Sequence, residues 1–352
     1  LKIQNNIKEH TELNYESSPS FGTVHVPILL WFEMDKHEGS PKEVFIDSLS
    51  AMKISPFNST LHYGQSIFEG LKAFRLNDSE VGIFRPKLNA ERFERSAKIM
   101  SMADFSPELF MNCLIEYVKA CKKYVPSEPG HSLYLRPLLI ANDPVIKVKS
   151  SKNYRFVIMS SIVGPYFKKN AKGSKVLINK SFIRAFPGGT GEAKTAANYA
   201  MSLPGLEYAQ SIGFDQVLYL DAMKKEKLEE LGGMNFFMVK NGELYTPKLD
   251  GQILHGITRR SILEIATSIG IKCHESDVLL SNITSGQAEE VFAVGTAASV
   301  SSIAELGLQE KKDSKVESYK FESTVVANKL RQILLDTQTG KTEFSKSWMH
   351  VL

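Results

Sequence analysis

Cysteine is scarce: three occur among 352 residues, Cys113, Cys121 and Cys273, an odd number with no pair at C-x-x-C spacing. That excludes a disulfide scaffold and the common zinc frameworks, so no metal and a reducing, cytoplasmic setting are expected. Charge of one sign is short as well. The 43 Lys and Arg exceed the 39 Asp and Glu by only 4, too few and too dispersed for a nucleic-acid or membrane footprint. No window approaches the roughly 18 apolar residues that a membrane span needs. The opening LKIQNNIKEHTELNYESS has no apolar core of signal-peptide length and no Arg-rich amphipathic pattern. It also lacks an initiator Met, so the start is expected to be processed or to lie upstream. What the chain has is core material. With 43% hydrophobic and 10% aromatic residues, one or two well-packed domains are expected and disordered or fibrous classes are excluded.

Residues 1 to about 20 are polar and read as an ill-ordered arm. From Ser106 to Tyr124 an amphipathic helix is predicted, with Ser106 as N-cap, Pro107 at the first position, and Phe110, Leu114, Tyr117 and Cys121 on one face. SLYLRPLLIA and YRFVIMSSIV read as strands. GPYFKKNAKGSK, lysine-rich and polar, reads as an interdomain linker. Beyond it come KVLINKSF, a glycine-rich turn PGGTGEAK, a helix from about Thr195, and strands at QVLYLD and MNFFMVK. Asn241-Gly242 gives a hairpin turn into ELYTP. GITRRSILEIATSIG reads as a helix opening at Thr258 and stopping at Gly270. A strand EVFAVG and a last helix over roughly Glu322 to Asp336 complete the chain. No internal repeat is evident, and the irregular alternation suggests two α+β layers rather than a doubly wound sheet.

The sharpest local signal is GGTGEAKTAANYA, where a lysine closes a glycine-rich turn and begins a helix. It could be a phosphate loop: from Gly188 the pattern G-x-x-x-x-G-K-[ST] is met except at Ala193, and Asp221 at the end of QVLYLD could hold a metal. A Cβ at position 193 stands where close backbone approach to phosphate is needed. Alternatively, Lys194 is a Schiff-base nucleophile activated at a helix start. A third reading is a surface lysine after a turn.

Seven blocks in order, HYGQSIFEGLKAFR, FRPKLNAERFERSA, LYLRPLLIA, FPGGTGEAKTAANYA, EELGGMNFF, HGITRRSILEIA and VGTAA, closely resemble the branched-chain amino acid aminotransferases. The resemblance runs from about Trp31 to the terminal WMHVL, and FRPKLN and GPYF look most like the family's longer subclass. It implies a two-domain, fold-type IV, D-amino acid aminotransferase-like enzyme of pyridoxal 5′-phosphate, of mixed α+β and α/β character. The expected parts are a small N-terminal α/β domain over 1–164, a linker over 165–178, and a larger cofactor domain over 179–352 with a pseudo-barrel of strands. The implied activity is reversible transfer of the amino group of Leu, Ile or Val to 2-oxoglutarate, giving 2-oxo acids and glutamate. The implied assembly is a homodimer.

Residue by residue, the resemblance makes Lys194 the lysine that carries the cofactor and shuttles the Cα proton. Glu230 becomes the carboxylate partner of the ring nitrogen, with Glu229 beside it as the competing carboxylate; without the resemblance both read as surface residues. Tyr199 becomes the donor to the cofactor's phenolic oxygen. The phosphate falls to Arg92, to Ile257 and Thr258 at a helix start, and to the hydroxyl of Thr296, while Arg95 is expected to face solvent or a salt bridge. Tyr134 and Arg136, alternating on one strand face, would meet carboxylate groups, as would the backbone N–H groups of Ala297 and Ala298. Tyr63, Phe68 and Tyr166 would line the side-chain pocket. Two departures stand out. Many members read Gly-Gly where this chain has Ala196-Ala197, and the redox C-x-x-C of some animal members is replaced by Ala298 and Ser301. D-amino acid aminotransferase and aminodeoxychorismate lyase share the lysine and the glutamate, but the Tyr134-Leu-Arg136-Pro137 block and FRPKLN speak against both.

Overall fold

The computed structural model describes residues 2–16, 19–164 and 173–352. It divides into two compact units, one formed by residues 1–166, 193–197 and 337–352, the other by 167–192 and 198–336.

The first unit is built on a ten-stranded, mostly antiparallel sheet. Its spine is the pair Ser132–Ala141 and Asn153–Val163, in register from Ser132 opposite Val163 to Ala141 opposite Tyr154. SLYLRPLLIA is apolar nearly throughout because it is covered on both faces. Its one proline has a structural reason. Ser66–Phe68 pairs with Leu138–Ile140 and Leu71–Arg75 with Leu133–Leu135, so Pro137 faces the break at Glu69-Gly70. There the Pro137 carbonyl accepts from Glu69 N–H at 2.8 Å, and no donor is needed from the proline itself. Helices Pro86–Ile99 and Pro107–Cys121 pack on this sheet. Ser106 caps the second, its hydroxyl accepting from Leu109 N–H at 3.1 Å. Between helices and sheet lies an aromatic core in which Phe156 meets Phe105 at 4.7 Å and Phe32 at 5.1 Å between ring centroids.

Both ends of the chain join this unit. Ile3–Asn5, within the segment expected to be ill-ordered, forms a parallel strand beside Val44–Ser48. The reason is apolar: Ile3, Ile7, Leu13 and Tyr15 pack on the core. At the other end Met349–Val351 pairs with Val81–Phe84, covering an edge that would otherwise present unpaired backbone groups. The first eight residues of the expected linker, 165–172, lie outside the described residues, and from Ser174 the chain is already a strand.

In the second unit, strands Asn235–Lys240, Glu290–Gly295, Ser299–Gln309, Ser174–Asn179, Gln216–Leu220 and Lys227–Leu231 pair in that order, and the last pairs back to the first. Six strands therefore close into a barrel. Closure is made at one residue pair, Glu230 opposite Asn235, across a tight turn in which Leu231 N–H donates to the Met234 carbonyl and Gly232-Gly233 supply the corner. The Asn241-Gly242 hairpin forms as its chemistry requires, both residues having positive φ. Helices Ala196–Ser211, Ile257–Ser268 and Val325–Gln338 accompany the barrel. Gly270, at φ +80, ends the second of them as expected. No described helix is long and apolar enough to cross a membrane.

Candidate active site

Within the first unit, Lys194 stands on an extended stretch pinned along its backbone. Its N–H donates to Ser96 Oγ at 3.0 Å, and its carbonyl accepts from Phe68 N–H at 2.9 Å. Thr195 forms an antiparallel bridge with Ile67, and its hydroxyl donates to the Ser66 carbonyl at 2.7 Å. The lysine thus precedes the helix, which begins at Ala196, because the bridge to the sheet takes the backbone groups that a helix start would use. Its Nζ lies 4.9 Å from the centroid of the Phe68 ring.

The guanidinium of Arg136 lies 4.5 Å from the same ring and donates through Nη2 to Tyr134 Oη at 2.9 Å. Its Nε is buried with no hydrogen-bond partner among the described residues. Tyr134 comes close because residue 70 is glycine: a Cβ there would sit 2.2 Å from the phenol oxygen. Phe21 meets the Tyr134 ring edge-on at 4.7 Å between centroids. Lys72, opposite Tyr134 in register, is buried, and desolvation pulls its amine down to about 8.

Arg92 forms a bidentate pair with Glu69, Nε to Oε1 and Nη2 to Oε2, both at 2.7 Å. Glu69 is fully buried and also accepts from Asn89 Nδ2 at 2.7 Å and from Gly70 N–H at 3.1 Å. Lys194, Phe68, Tyr134 and Arg136 are thereby one group, and Arg92 joins it through Glu69 and Gly70. Tyr63 stands apart at the end of helix Ser59–Tyr63 and is exposed. Arg95 is partly buried. Tyr166 lies outside the described residues.

Within the second unit the centre is Glu230. Its Oε1 accepts from Arg184 Nη2 at 2.7 Å and Leu254 N–H at 2.9 Å, and its Oε2 from Asn235 Nδ2 at 2.8 Å. Asn235 also donates to the Leu254 carbonyl at 3.0 Å. Glu229, expected at the surface, is as buried as Glu230, because the barrel wall is covered on both sides. Neither of its carboxyl oxygens has a hydrogen-bond partner among the described residues, and burial pushes it up to about 7.

Asn235 leads on to the next expected group. A Cβ on Gly256 would lie 1.8 Å from Asn235 Oδ1, so glycine is what lets helix Ile257–Ser268 begin there. That helix has no side-chain cap at its N-terminus, and Ile257 and Thr258 supply its first N–H groups. On the other side of the corner, the Tyr199 ring lies 3.7 Å from where a Gly233 Cβ would be, and Gly295 packs against Gly233 and Met234. Thr296, Ala297 and Ala298 form the turn that follows Gly295. Asn198 braces the glycine-rich turn, accepting from Thr190 Oγ1 and donating to the Thr190 carbonyl, both at 2.7 Å.

Glu69, Arg184, Asn235 and Phe21 are the participants that sequence reasoning missed. A signal existed for two of them: a carboxylate inside SIFEGL and an arginine inside SFIRAF are single charges in apolar runs, and buried charges are paired.

Residues 66–306 match the amino-transferase class IV family. The chain is 39% identical over 345 residues to branched-chain-amino-acid transaminase 1 of Bacillus subtilis, covering 94% of each. It is also 39% identical over 298 residues to the chloroplastic branched-chain-amino-acid aminotransferase 2 of Arabidopsis thaliana, covering 85% of this chain and 75% of that one. Among solved structures, the branched-chain aminotransferase of Thermoproteus uzoniensis with norvaline superposes with a TM-score of 0.74 at 25% identity, over 92% of this chain and 99% of that one. The T.th. branched-chain amino acid aminotransferase with pyridoxamine 5′-phosphate gives 0.72 at 27% identity, over 92% and 97%. The chain belongs to the class IV amino-transferases and, within them, to the branched-chain-amino-acid aminotransferases, which are pyridoxal 5′-phosphate transaminases.

Proposed function

We propose that Lys194 and Glu230 are the two residues on which this transaminase depends, and that its reaction is reversible transfer of the amino group of Leu, Ile or Val to 2-oxoglutarate. The observation that carries the reading is the Glu230 carboxylate, buried and held by three donors. Such a fixed anion fits a protonated ring nitrogen. The uncapped start of helix Ile257–Ser268 fits a phosphate. When bound, pyridoxal phosphate supplies an aldehyde that condenses with amines and a ring that accepts the electron pair left at Cα.

The protein's own residues do the rest. Lys194 would hold the cofactor through its aldehyde, and its amine, once free, would take the proton from the substrate Cα and deliver it to the cofactor's C4′. Glu230 keeps the ring nitrogen protonated, and Tyr199 donates to the phenolic oxygen. Arg92, the N–H groups of Ile257 and Thr258, and the Thr296 hydroxyl bind the phosphate. The N–H groups of Ala297 and Ala298 take the α-carboxylate. Tyr63, Phe68 and Tyr166 receive the aliphatic side chain, and Tyr134 and Arg136 receive the second carboxylate of glutamate. A homodimer in the cytoplasm completes the reading. It is supported by the exposed apolar residues Phe57, Leu61 and Tyr63 on one short segment, and by three free thiols.

Reduction of the loaded enzyme with borohydride and peptide mapping tests the assignment. The label is expected on Lys194, and a label on another lysine, such as Lys180, overturns it. An amino-donor panel with 2-oxoglutarate tests the substrate class.

A further inference from the structure

We propose that Arg184 is the positioning residue that keeps Glu230 ionised and aimed, and thereby keeps the proton of the bound cofactor's ring on its nitrogen. The inference rests on the reading of Glu230 as the partner of that nitrogen.

Arg184 follows strand Ser174–Asn179 in the run SFIRAF and is buried. A buried guanidinium needs partners, and Arg184 Nη2, which carries two N–H groups, has three acceptors around it. It donates to Glu230 Oε1 at 2.7 Å, to the Gly191 carbonyl at 3.0 Å, and to the Gln252 carbonyl. One group thus ties the carboxylate to the glycine-rich turn and to the segment that leads into Leu254. The turn and that segment are already in close contact: a Cβ on Gly191 would lie 2.3 Å from the Gln252 oxygen.

The neighbouring carboxyl shows what Arg184 changes. Glu229 and Glu230 are adjacent, equally buried, and point to opposite faces of one strand. Glu230 has a guanidinium and two further donors. Glu229 has no hydrogen-bond partner among the described residues, and its desolvation prevails. The groups that act on Glu229 are Arg184, Asp250, Glu230, Asp221 and Lys225, and Tyr219 is the phenol that feels Arg184. Arg184 is a cation in direct contact with Glu230. Without it, a buried carboxylate facing a ring N–H becomes the stronger base of the two and draws the proton to itself. The ring is then neutral and a poorer electron acceptor.

The experiment loads the enzyme with pyridoxal phosphate carrying 15N in the ring and reads the nitrogen resonance, which separates protonated from unprotonated pyridine. The parent is expected at the protonated position. Arg184→Gln, folded by circular dichroism and loaded with cofactor, is expected to move toward the unprotonated position. Its kcat should fall about tenfold or more, the size of one pKa unit, while the KM for leucine changes much less. A folded, loaded Arg184→Gln with the parent's resonance overturns the proposal. Should Arg184→Gln not fold, Arg184→Lys decides. A buried ammonium loses its proton at lower pH than a guanidinium, so the resonance should titrate between neutral and alkaline pH where the parent's is flat, and a parent-like flat line overturns the proposal. Glu230→Gln separates the two levels. No response to Glu230→Gln overturns the reading of Glu230 itself, whereas a response there with none in the Arg184 variants overturns this inference alone.

Discussion

Asn235 closes the barrel opposite Glu230 and, with the same residue, donates a hydrogen bond to the Glu230 carboxylate at 2.8 Å. Fold and chemistry therefore share one contact. Removing it in Asn235→Ala should cost about 1.5–3 kcal/mol, the usual worth of a hydrogen bond to a charged group, visible as a lower denaturation midpoint of the cofactor-free protein. Gly256→Ala should be at least as damaging, because its Cβ would lie 1.8 Å from Asn235 Oδ1. Parent-like stability in Gly256→Ala would show that the corner yields more easily than this geometry allows.

Glu69 and Arg92 form a buried pair that neither can leave cheaply. Glu69→Ala and Arg92→Ala should each destabilise by about 3–5 kcal/mol, since each strands the other's charge. The double variant should lose clearly less than the sum of the two. Urea midpoints for the four proteins give the coupling, and additivity would mean that the pair is not a unit. If Arg92 binds the phosphate as proposed, Arg92→Ala should in addition weaken cofactor retention on dialysis, by loss of a charge-assisted partner.

Glu229 predicts a pH dependence of stability. Its ordinary value is 4.5, and burial raises it to about 7 in the folded protein. Between those values the folded state binds more protons than the unfolded chain, so stability falls as pH rises and levels off above about 7. Glu229→Gln removes the ionisation without changing the shape. It should be more stable than the parent by roughly 2–3 kcal/mol at pH 8 and gain little below about pH 5. A constant difference across that range would assign the effect to packing.

Thiol chemistry should be confined to one position. Burial pushes the thiols of Cys113 and Cys121 up to about 12, whereas Cys273 is only partly buried. A thiol reagent added to the native protein should therefore modify Cys273 alone, and mild peroxide should have little reversible effect on activity. Rapid labelling of Cys113 would mean that its helix opens readily.

The legible part of the molecule was whatever a local pattern dictates. The Ser106-Pro107 helix start, the Asn241-Gly242 hairpin and the Gly270 stop follow from one or two residues each, and all three are found. The groups that hold the expected site residues in place were not legible, because their partners are distant in sequence. Glu69 meets Arg92 across 23 positions, and Leu254 N–H meets Glu230 across 24. The strand at Ile3–Asn5 escapes a local reading for the same reason, since it exists only against Val44–Ser48. Glu229 misled differently. Two glutamates in succession look like a solvated edge, and only a barrel wall covered on both faces buries both.

A branched-chain transaminase has to take both an aliphatic side chain and that of glutamate. An apolar pocket rejects a carboxylate, because burying an unpaired charge is costly. Arg136 can resolve the conflict. Its guanidinium lies over the Phe68 ring, donates to Tyr134 Oη, and has an Nε without a hydrogen-bond partner among the described residues. Leucine can rest on the apolar ring face, while the second carboxylate of glutamate or 2-oxoglutarate meets the guanidinium and the phenol. Arg136→Met keeps the apolar stem and removes the charge. The half-reaction with 2-oxoglutarate should lose about 3–5 kcal/mol of transition-state binding, the range for removing one partner of a buried charge pair. The leucine half-reaction should lose much less. Single-turnover absorbance changes of the bound cofactor time each half separately. If both halves slow equally, Arg136 serves the α-carboxylate common to all substrates, and the discrimination must come from elsewhere. The buried amine of Lys72, opposite Tyr134 in register, would then be the next residue to replace.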